Sequence, residues 1–211
     1  VAWSISQRLI PLFKEHDISN IAVCCGRGNN AGDGYLLAKY LKQHGFAVDI
    51  YAAELGTSQD SYSAYNEAQA ENIKIVSGFN FQEKYDCVVD ALFGIGLNRE
   101  LDEKWQTIIY NINEHKALKV AIDIPSGLQA NTGQPLPCAV KADYTFTGLA
   151  LKAGLFTGKA KEYTGVIETI SLIPKDSELC SIAQLAPTNI TLPTRKAFGH
   201  KGSYGHVLVV G

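Results

Sequence analysis

Residues 21–34 have the sequence IAVCCGRGNNAGDG, a short apolar run followed directly by a glycine-rich stretch. The apolar run at 21–25 is typical of a strand buried on both faces of a parallel sheet. The stretch at 26–34 predicts a loop, and the apolar spacing that begins at residue 35 predicts a helix ending near Gly45. Glycines tolerate positive φ and let the backbone approach a phosphate, and free amides at a helix start attract anions. This order of elements indicates a nucleotide-phosphate-binding loop in an α/β domain.

The same alternation of strand and helix continues along the chain. A helix is predicted at 1–13 and others at 58–70, where Ser58 is a candidate N-cap, and at 105–115. Such alternation predicts a Rossmann-like, doubly wound and mostly parallel sheet with helices on both faces, a three-layer αβα architecture. Right-handed crossovers would then place all the strand carboxyl ends on one rim. The further strands are predicted at 47–52, 73–76, 87–92, 118–124, 143–146 and 166–170, the last two near one edge.

Composition limits the kinds of partner. The 211 residues have a net charge of -2 and no basic run, which argues against nucleic acid or an anionic membrane as a partner. No apolar run approaches the roughly 20 residues of a membrane span. The five cysteines form no CxxC pair, which favours reduced thiols in a cytoplasmic protein, and the histidines lack the spacing of a zinc site. Small molecules and proteins are the expected partners.

The glycine-rich stretch contains more polar side chains than a dinucleotide fingerprint needs. As a GxGxxA pattern it spans residues 26–31, with Asp49 or Glu54 as a ribose partner, and that pattern alone is weak evidence. It leaves Asn29, Asn30 and Asp33 unexplained. Asp33 could cap the helix, and the asparagines could fill left-handed turn positions. Three such side chains at one turn favour a polar binding site.

Two other strand ends carry polar residues that an apolar core does not require. Asp90 lies inside an apolar strand and is followed by a Gly-x-Gly turn, and Asp123 ends another strand just before Ser126. A buried carboxylate must be paired, hydrogen-bonded or bound to a cation. If the strands are neighbours, Asn30, Asp90 and Ser126 converge as hard oxygen ligands for a monovalent or divalent cation. The simpler alternatives are that Asp90 accepts backbone amides and that Ser126 caps the next turn.

These segments together resemble the YjeF amino-terminal family, the NAD(P)H-hydrate epimerases. The resemblance extends over about residues 1–173, and one departure is Ala31, where members of the family usually have glycine. The matching segments are 26–34 (GRGNNAGDG), 89–97 (VDALFGIGL), 122–128 (IDIPSGL) and 142–155 (ADYTFTGLALKAGL).

The end of the chain resembles a different protein family. Residues 198–211 (FGHKGSYGHVLVVG) are similar to the opening of an ADP- or ATP-dependent NAD(P)H-hydrate dehydratase, a ribokinase-like fold. Residues 174–197 contain three prolines and are expected to form a linker. The resemblance therefore implies an epimerase domain at 1–173 fused, in the bacterial bifunctional enzymes, to a dehydratase that is truncated here. No dehydratase activity is expected from residues 198–211 alone.

The resemblance implies both a reaction and a set of site residues. The substrate would be NADH or NADPH hydrated on the nicotinamide ring, and the enzyme would interconvert its R and S forms at C6, so that an S-specific dehydratase can repair both. A potassium ion would bind to Asn30, Asp90 and Ser126. The implied substrate contacts are Asn29, Asn30, Ala31, Gly32, Asp33, Gly94, Ile95, Gly96, Leu97, Asn98, Arg99, Glu100 and Asp123.

Asp123 is the first candidate for the acid–base group because it lies at a strand end beside the implied ion. Asp33 is the second candidate. Lys152 follows another strand and could reach the rim, although a solvated surface lysine explains it equally well. The resemblance also implies a homo-oligomer. The alternative functions are a catalytically silent scaffold of the same fold and an ordinary NAD-dependent oxidoreductase, which the asparagine pair disfavours.

Overall fold

The computed structural model describes residues 1–52, 58–79, 81, 84–171 and 181–185. Its contacts divide the chain into two compact units, Val1–Ser177 and Glu178–Gly211. Within the second unit, residues 181–185 are exposed and contain no helix or strand. The rest of the predicted linker at 174–197 and all of the dehydratase-like segment lie outside the described residues, as does Glu54. Those assignments stay predictions.

The first unit contains seven strands and four α-helices among its described residues. A helix opens it, and two short 3-10 helices lie between the last two strands. The elements are α1 (Ala2–Glu15), β1 (Asn20–Cys25), α2 (Asn29–Gln43), β2 (Ala47–Ala52), α3 (Gln59–Ala70), β3 (Lys74–Ser77), β4 (Cys87–Ala91), α4 (Glu103–Glu114), β5 (Leu118–Ile122), β6 (Tyr144–Gly148), the 3-10 helices Ala153–Leu155 and Ala160–Glu162, and β7 (Val166–Ile170).

The strands form one sheet in the order β3-β2-β1-β4-β5-β6-β7, and every described pair is parallel. This confirms the predicted Rossmann-like sheet, with β6 and β7 at one edge. The direction of winding reverses between β1 and β4, where Cys24 lies beside Asp90. In open α/β sheets, ligands bind in the crevice outside the strand carboxyl ends at such a reversal.

Helices cover both faces of the sheet, which confirms the three-layer architecture. Alternate residues of β1 point to opposite faces, so Val23 packs with Phe13 of α1 and Leu37 of α2, and Ala22 packs with Ile109 of α4. Burial of each valine, leucine, isoleucine or phenylalanine side chain contributes about 2 kcal/mol to the free energy of unfolding. Among the described residues, no helix combines the length and the apolar character needed to cross a membrane.

Two helix boundaries agree with the sequence patterns. Ser58 caps α3, because its side chain accepts a hydrogen bond from the backbone N–H of Ser61. Gly45 follows the end of α2 with φ +91°, the left-handed conformation that glycine adopts without strain. Both the cap and the glycine stop therefore act as predicted.

The start of α2 differs from the prediction. The helix begins at Asn29, with Gly28 as its N-cap, so the loop is only residues 26–28. Neither Asn29 nor Asn30 has a positive φ, and Asp33 lies inside the helix instead of capping it. The left-handed turn and the capping role are both wrong. Glycine and asparagine are poor helix formers, but here tertiary packing overrides their propensity.

Two glycines show why the packing requires them. A Cβ on Gly34 would lie 2.6 Å from the Cβ of Ala91, so the glycine lets α2 close onto the sheet. A Cβ on Gly26 would lie 2.0 Å from the carbonyl oxygen of Leu92, at the point where β1 and β4 leave the sheet side by side. Neither Gly26 nor Gly28 has a positive φ, so that part of the loop prediction is wrong.

Candidate active site

A cleft of about 990 Å³ lies at the carboxyl ends of β1, β4, β5 and β6. This is the rim on which the sequence analysis placed the site. The first turns of α2 form one wall, and the segment after β4 forms another. The lining residues are Val1, Arg27, Gly28, Asn29, Asn30, Asp33, residues 92–102, Trp105, Asp123 and residues 148–152.

Asp90 lies beneath this cleft with only 1% of its surface exposed. Its Oδ1 accepts from the Ser126 hydroxyl at 2.6 Å and from the backbone N–H of Leu92 at 3.2 Å. Its Oδ2 accepts from the backbone N–H of Ser126 at 2.7 Å. Burial raises the pKa of Asp90 to about 6, although these hydrogen bonds act in the opposite direction. The carboxylate is therefore well bonded but poorly solvated.

The three predicted cation ligands meet around the backbone of one residue, Phe93. The Asn30 amide Nδ2 donates to the carbonyl oxygen of Phe93 at 3.0 Å and to that of Ile122 at 3.3 Å. The Ser126 hydroxyl oxygen accepts from the N–H of Phe93 at 2.9 Å. Ser126 in turn contacts Asp90, so the structure brings Asn30, Asp90 and Ser126 together.

The oxygen atoms of this cluster are of the type that could hold an alkali cation. Its oxygens come from a carboxylate, a hydroxyl and two main-chain carbonyls, which are hard donors suited to potassium and poorly suited to zinc. The Asn30 amide places its positive N–H groups between the carbonyls of Phe93 and Ile122. Those two carbonyl oxygens therefore face the same donor group. Amide orientation is exchangeable, so the Asn30 oxygen can replace the nitrogen when a cation takes that place.

Asp123 occupies the rim of the cleft directly after β5. It has φ +69°, an uncommon conformation for a residue with a side chain, and its backbone N–H donates to the carbonyl oxygen of Phe146 at 2.7 Å. Its Oδ1 accepts from the Lys152 ammonium at 2.6 Å. A Cβ on Gly94 would lie 3.4 Å from its Oδ2 and 3.5 Å from Asn30, so Asp123 lies close to the Asn30 amide.

Asp33 is a second carboxyl group in the same cleft. Burial raises its pKa, a hydrogen bond from the backbone N–H of Ala2 lowers it, and the Asp123 carboxylate raises it further. Asp33 and Asp123 therefore interact across the site. A partly buried carboxyl group with a raised pKa in a cleft is typical of groups that exchange protons with a ligand.

The remaining predicted contacts divide into two groups. Asn29, Asn30, Asp33, Asp123 and the whole of 94–100 line the cleft. Ala31 is fully buried, and Gly32 packs against Ser61, so neither lines it.

Asp49, considered as a ribose partner, also lies away from the cleft. It sits within β2, where its Oδ2 accepts from the Tyr85 hydroxyl at 2.8 Å and lies 3.6 Å from the Lys74 ammonium. The structure therefore does not bring Asp49 to the site.

Sequence reasoning left several cleft features unassigned. Lys152 was indistinguishable from a surface lysine, yet its ammonium is held by Asp123, by Thr147 and by the carbonyl oxygen of Gly148. Leu149 and Leu151 add apolar surface at the mouth, 61% and 43% exposed. The available signal was position: all of them lie at or beyond the end of β6, on the same rim as the other strand ends.

Comparison with known proteins identifies the family. The family model for "YjeF-related protein N-terminus" matches residues 1–154. The chain is similar to the NAD(P)H-hydrate epimerase of Lentilactobacillus buchneri, with 38% identity over 161 residues, covering 73% of each chain.

Two longer relatives are bifunctional enzymes. The chain is 36% identical over 210 residues to the bifunctional NAD(P)H-hydrate repair enzyme Nnr of Escherichia coli, and 36% identical over 210 residues to that of Coxiella burnetii. These matches cover 92% of this chain but only 39% and 42% of the relatives. The chain thus spans about two fifths of those proteins.

The fold is also found in a solved structure. The crystal structure of yeast ynu0, YNL200c, superposes with a TM-score of 0.68 at 18% sequence identity, covering 82% of this chain and 78% of that one. At that identity the likeness concerns the fold alone. The family match covers residues 1–154, so the chain belongs to the YjeF-related protein N-terminus family.

Proposed function

We propose that this member of the family is an NAD(P)H-hydrate epimerase, which interconverts the R and S forms of hydrated NADH or NADPH at C6 of the nicotinamide ring. The Lentilactobacillus buchneri relative has that name, and the chain covers most of it. The observation that carries the proposal is the position of Asp123, which lies in the same cleft as the start of α2 and the 94–100 segment.

Inversion at C6 needs a group that gives a proton and takes it back. Either the protonated hydroxyl leaves or the ring opens, and the bond then re-forms on the other face. One positioned carboxyl can serve as acid and then as base. Asp123 is our first choice because its conformation and its Lys152 partner fix it at the rim. Asp33 is our second, because its raised pKa favours holding a proton nearer neutral pH.

The start of α2 is suited to the dinucleotide's phosphates. The helix N-cap is Gly28, which supplies no side-chain cap, so the first amides of the helix remain available for an anion. A Cβ on Gly28 would meet nothing within 4 Å, which leaves room for a ligand against the backbone. Asn29 beside it is fixed by a 2.8 Å hydrogen bond from the Ser58 hydroxyl.

A potassium ion fits the oxygen cluster below the cleft. Asn30, Asp90 and Ser126 would hold it together with the carbonyl oxygens of Phe93 and Ile122. When bound, such an ion would supply a fixed positive charge to the site. The protein's own contribution is to hold Asn30 and Asp123 on either side of Gly94, so that the ligand and the cluster share one wall.

The wider biology of the chain is part of the same proposal. The longer relatives are bifunctional, and the resemblance of residues 198–211 to a dehydratase opening supports a fused dehydratase in the complete protein. We propose a cytoplasmic location, which the free cysteines of the described residues support, and a homo-oligomeric state. Gel filtration with light scattering tests the oligomeric state.

The test of the proposed function is conversion of a single epimer. Pure R epimers of hydrated NADH and of hydrated NADPH are incubated with the protein in potassium buffer, and the S epimer is followed by chromatography. We expect the S epimer to appear faster than in a protein-free control until the two reach equilibrium. A rate equal to that control, with hydrate binding retained, would overturn the epimerase and favour a binding module.

A further inference from the structure

We propose that Lys152 is a positioning residue for Asp123, and that the two side chains act as one unit in proton transfer. This inference rests on the proposed epimerase function and adds to it a role for Lys152, which the sequence left open between the rim and a solvated surface position. It starts from the 2.6 Å contact between the Lys152 ammonium and Oδ1 of Asp123.

The Lys152 ammonium has no freedom to point elsewhere. An ammonium carries three N–H donors, and all three have acceptors: Asp123 Oδ1 at 2.6 Å, the Thr147 hydroxyl oxygen at 2.7 Å and the carbonyl oxygen of Gly148 at 2.8 Å. Thr147 is fully buried, and the Lys152 side chain is only 17% exposed. A solvated surface lysine would not be held in this way, so the site is built around the ammonium.

Asp123 is correspondingly anchored on two sides by one strand. Its backbone N–H donates to the carbonyl of Phe146 in β6, and its side chain accepts from Lys152, just beyond the end of β6. A residue with a side chain in the left-handed region costs roughly 1–2 kcal/mol, and such strain persists only where the surroundings enforce it. The two contacts enforce it here, and they aim the carboxylate at the cleft.

The two oxygens of Asp123 consequently have different roles. Oδ1 accepts a hydrogen bond from the Lys152 ammonium. Oδ2 lies beside Gly94 and accepts no hydrogen bond from the residues that the structure describes. Oδ2 is therefore the oxygen left for the ligand. The fixed ammonium holds the Asp123 carboxylate in one orientation without having to reorient itself. Lys152 thus acts through Asp123 and need not touch the substrate.

The test compares Lys152→Met and Lys152→Arg with Lys119→Met. Lys119 is the matched control, because its ammonium also bonds main-chain carbonyls, those of His115 and Ala117, but at the opposite end of the sheet. We expect Lys152→Met to lower kcat about 100-fold with little change in KM, and Lys152→Arg to recover about tenfold of that loss. Lys119→Met should keep the wild-type kcat.

A double variant tests whether Lys152 and Asp123 act together or contribute to kcat independently. If Lys152 works through Asp123, then Asp123→Asn/Lys152→Met has the same kcat as Asp123→Asn alone. A double variant slower than Asp123→Asn by the full Lys152→Met factor would overturn the inference, as would a Lys152→Met variant with wild-type kcat.

Thr147→Val tests the role of Lys152 without changing Lys152 itself. This change removes one acceptor of the ammonium without altering side-chain size, so we expect kcat to fall by about threefold to tenfold with the melting temperature nearly unchanged. An unchanged kcat would contradict the role of Lys152 even if Lys152→Met did not fold. Failure of the proposed function appears separately, because the wild-type protein would then leave the pure R epimer unchanged, and the inference would fall with it.

Discussion

Asp86 and Asp90 lie at opposite ends of the same strand, β4, and their surroundings shift the pKa of the carboxyl group in opposite directions. Asp86 precedes the strand, and its Oδ2 accepts from the backbone N–H groups of Ser19 and Asn20 at 3.0 and 2.9 Å. Those hydrogen bonds lower its pKa. Asp90 near the other end is buried, and its pKa is raised to about 6. Hydrogen bonds therefore favour the charged form of Asp86, whereas burial disfavours the charged form of Asp90.

The lysines repeat this contrast. Lys119 at the amino end donates only to main-chain carbonyls, those of His115 and Ala117. Lys152 at the carboxyl end holds a carboxylate that lines the cleft. These polar groups at the amino end of the sheet thus bond the backbone, whereas those at the carboxyl end line the cleft, where a ligand can reach them. The difference teaches that burial and partner type, rather than residue type, mark the functional end.

The largest expected effect is on the reaction itself. Asp123→Asn should lower kcat for epimerisation by about 10³-fold, because an amide cannot give and take a proton. Asp143→Asn is the matched change at the amino end, where Oδ2 of Asp143 accepts from the backbone N–H of Lys119 at 2.8 Å. We expect Asp143→Asn to keep the wild-type kcat, as measured by initial rates with the pure R epimer. Equal losses in the two variants would abolish the contrast between the ends.

The next effect is on stability, through the glycines. Gly26→Ala would place a Cβ 2.0 Å from the carbonyl oxygen of Leu92, so we expect the free energy of unfolding to fall by about 3 kcal/mol. Gly45→Ala meets no neighbour and strains only its left-handed φ, for a loss of about 1 kcal/mol. Urea unfolding measures both. A larger loss at Gly45 than at Gly26 would contradict the packing described for the carboxyl end.

A smaller effect concerns potassium. Replacing potassium by N-methylglucammonium should slow wild-type epimerisation about tenfold, if the ion contributes about 1.4 kcal/mol to the transition state. Asp90→Asn should be slow in both buffers, because the buried charge that attracts the cation is gone. Asp86→Asn, the control on the same strand, should respond to potassium as the wild type does. A potassium response that survives in Asp90→Asn would refute the proposed ion site.

The smallest effect is on the pH dependence of stability in potassium-free buffer. The folded pKa of Asp90, about 6, exceeds its ordinary value of 3.8. Its stabilising contribution is therefore complete below the ordinary value and is lost as the pH rises through about 6. Between pH 7 and pH 5, the free energy of unfolding should gain about 1 kcal/mol from this group, and Asp90→Asn should lack that gain.

Asp86 should show the opposite sign. Because hydrogen bonds lower its folded pKa, its contribution is present above the ordinary value and is lost as the pH falls through the folded pKa. Asp86→Asn should therefore destabilise the protein at pH 7 and at pH 5 alike. A pH response in Asp90→Asn identical to that of the wild type would show that Asp90 is not the group that titrates near pH 6.

Much of this contrast follows from local sequence. Apolar runs such as that at 21–25 predicted the central strands, and the residues after each strand predicted the rim. Asn30, Asp90 and Ser126 were predicted to converge because parallel strands end on one side, and the structure brings them together. Periodicity and topology are sufficient for such conclusions.

Other features depend on contacts between distant segments, so no local pattern predicts them. Propensity placed the start of α2 too late, because the fit of Gly34 against Ala91 is a tertiary property. Lys152 differs from an exposed lysine through its ion pair with Asp123, which lies 29 residues away in sequence at the end of β5. Local patterns thus located the site, whereas packing decided which side chains operate there.

Hydrogen exchange with and without ligand tests the difference between the two ends most directly. Hydrated NADH is added to the wild-type protein in potassium buffer, and backbone amide exchange is compared with that of the ligand-free protein. We expect slower exchange at residues 28–30, 33 and 93–100, which line the cleft, and no change at residues 84–86 and 114–118 at the amino end. Protection confined to the amino end would contradict the account.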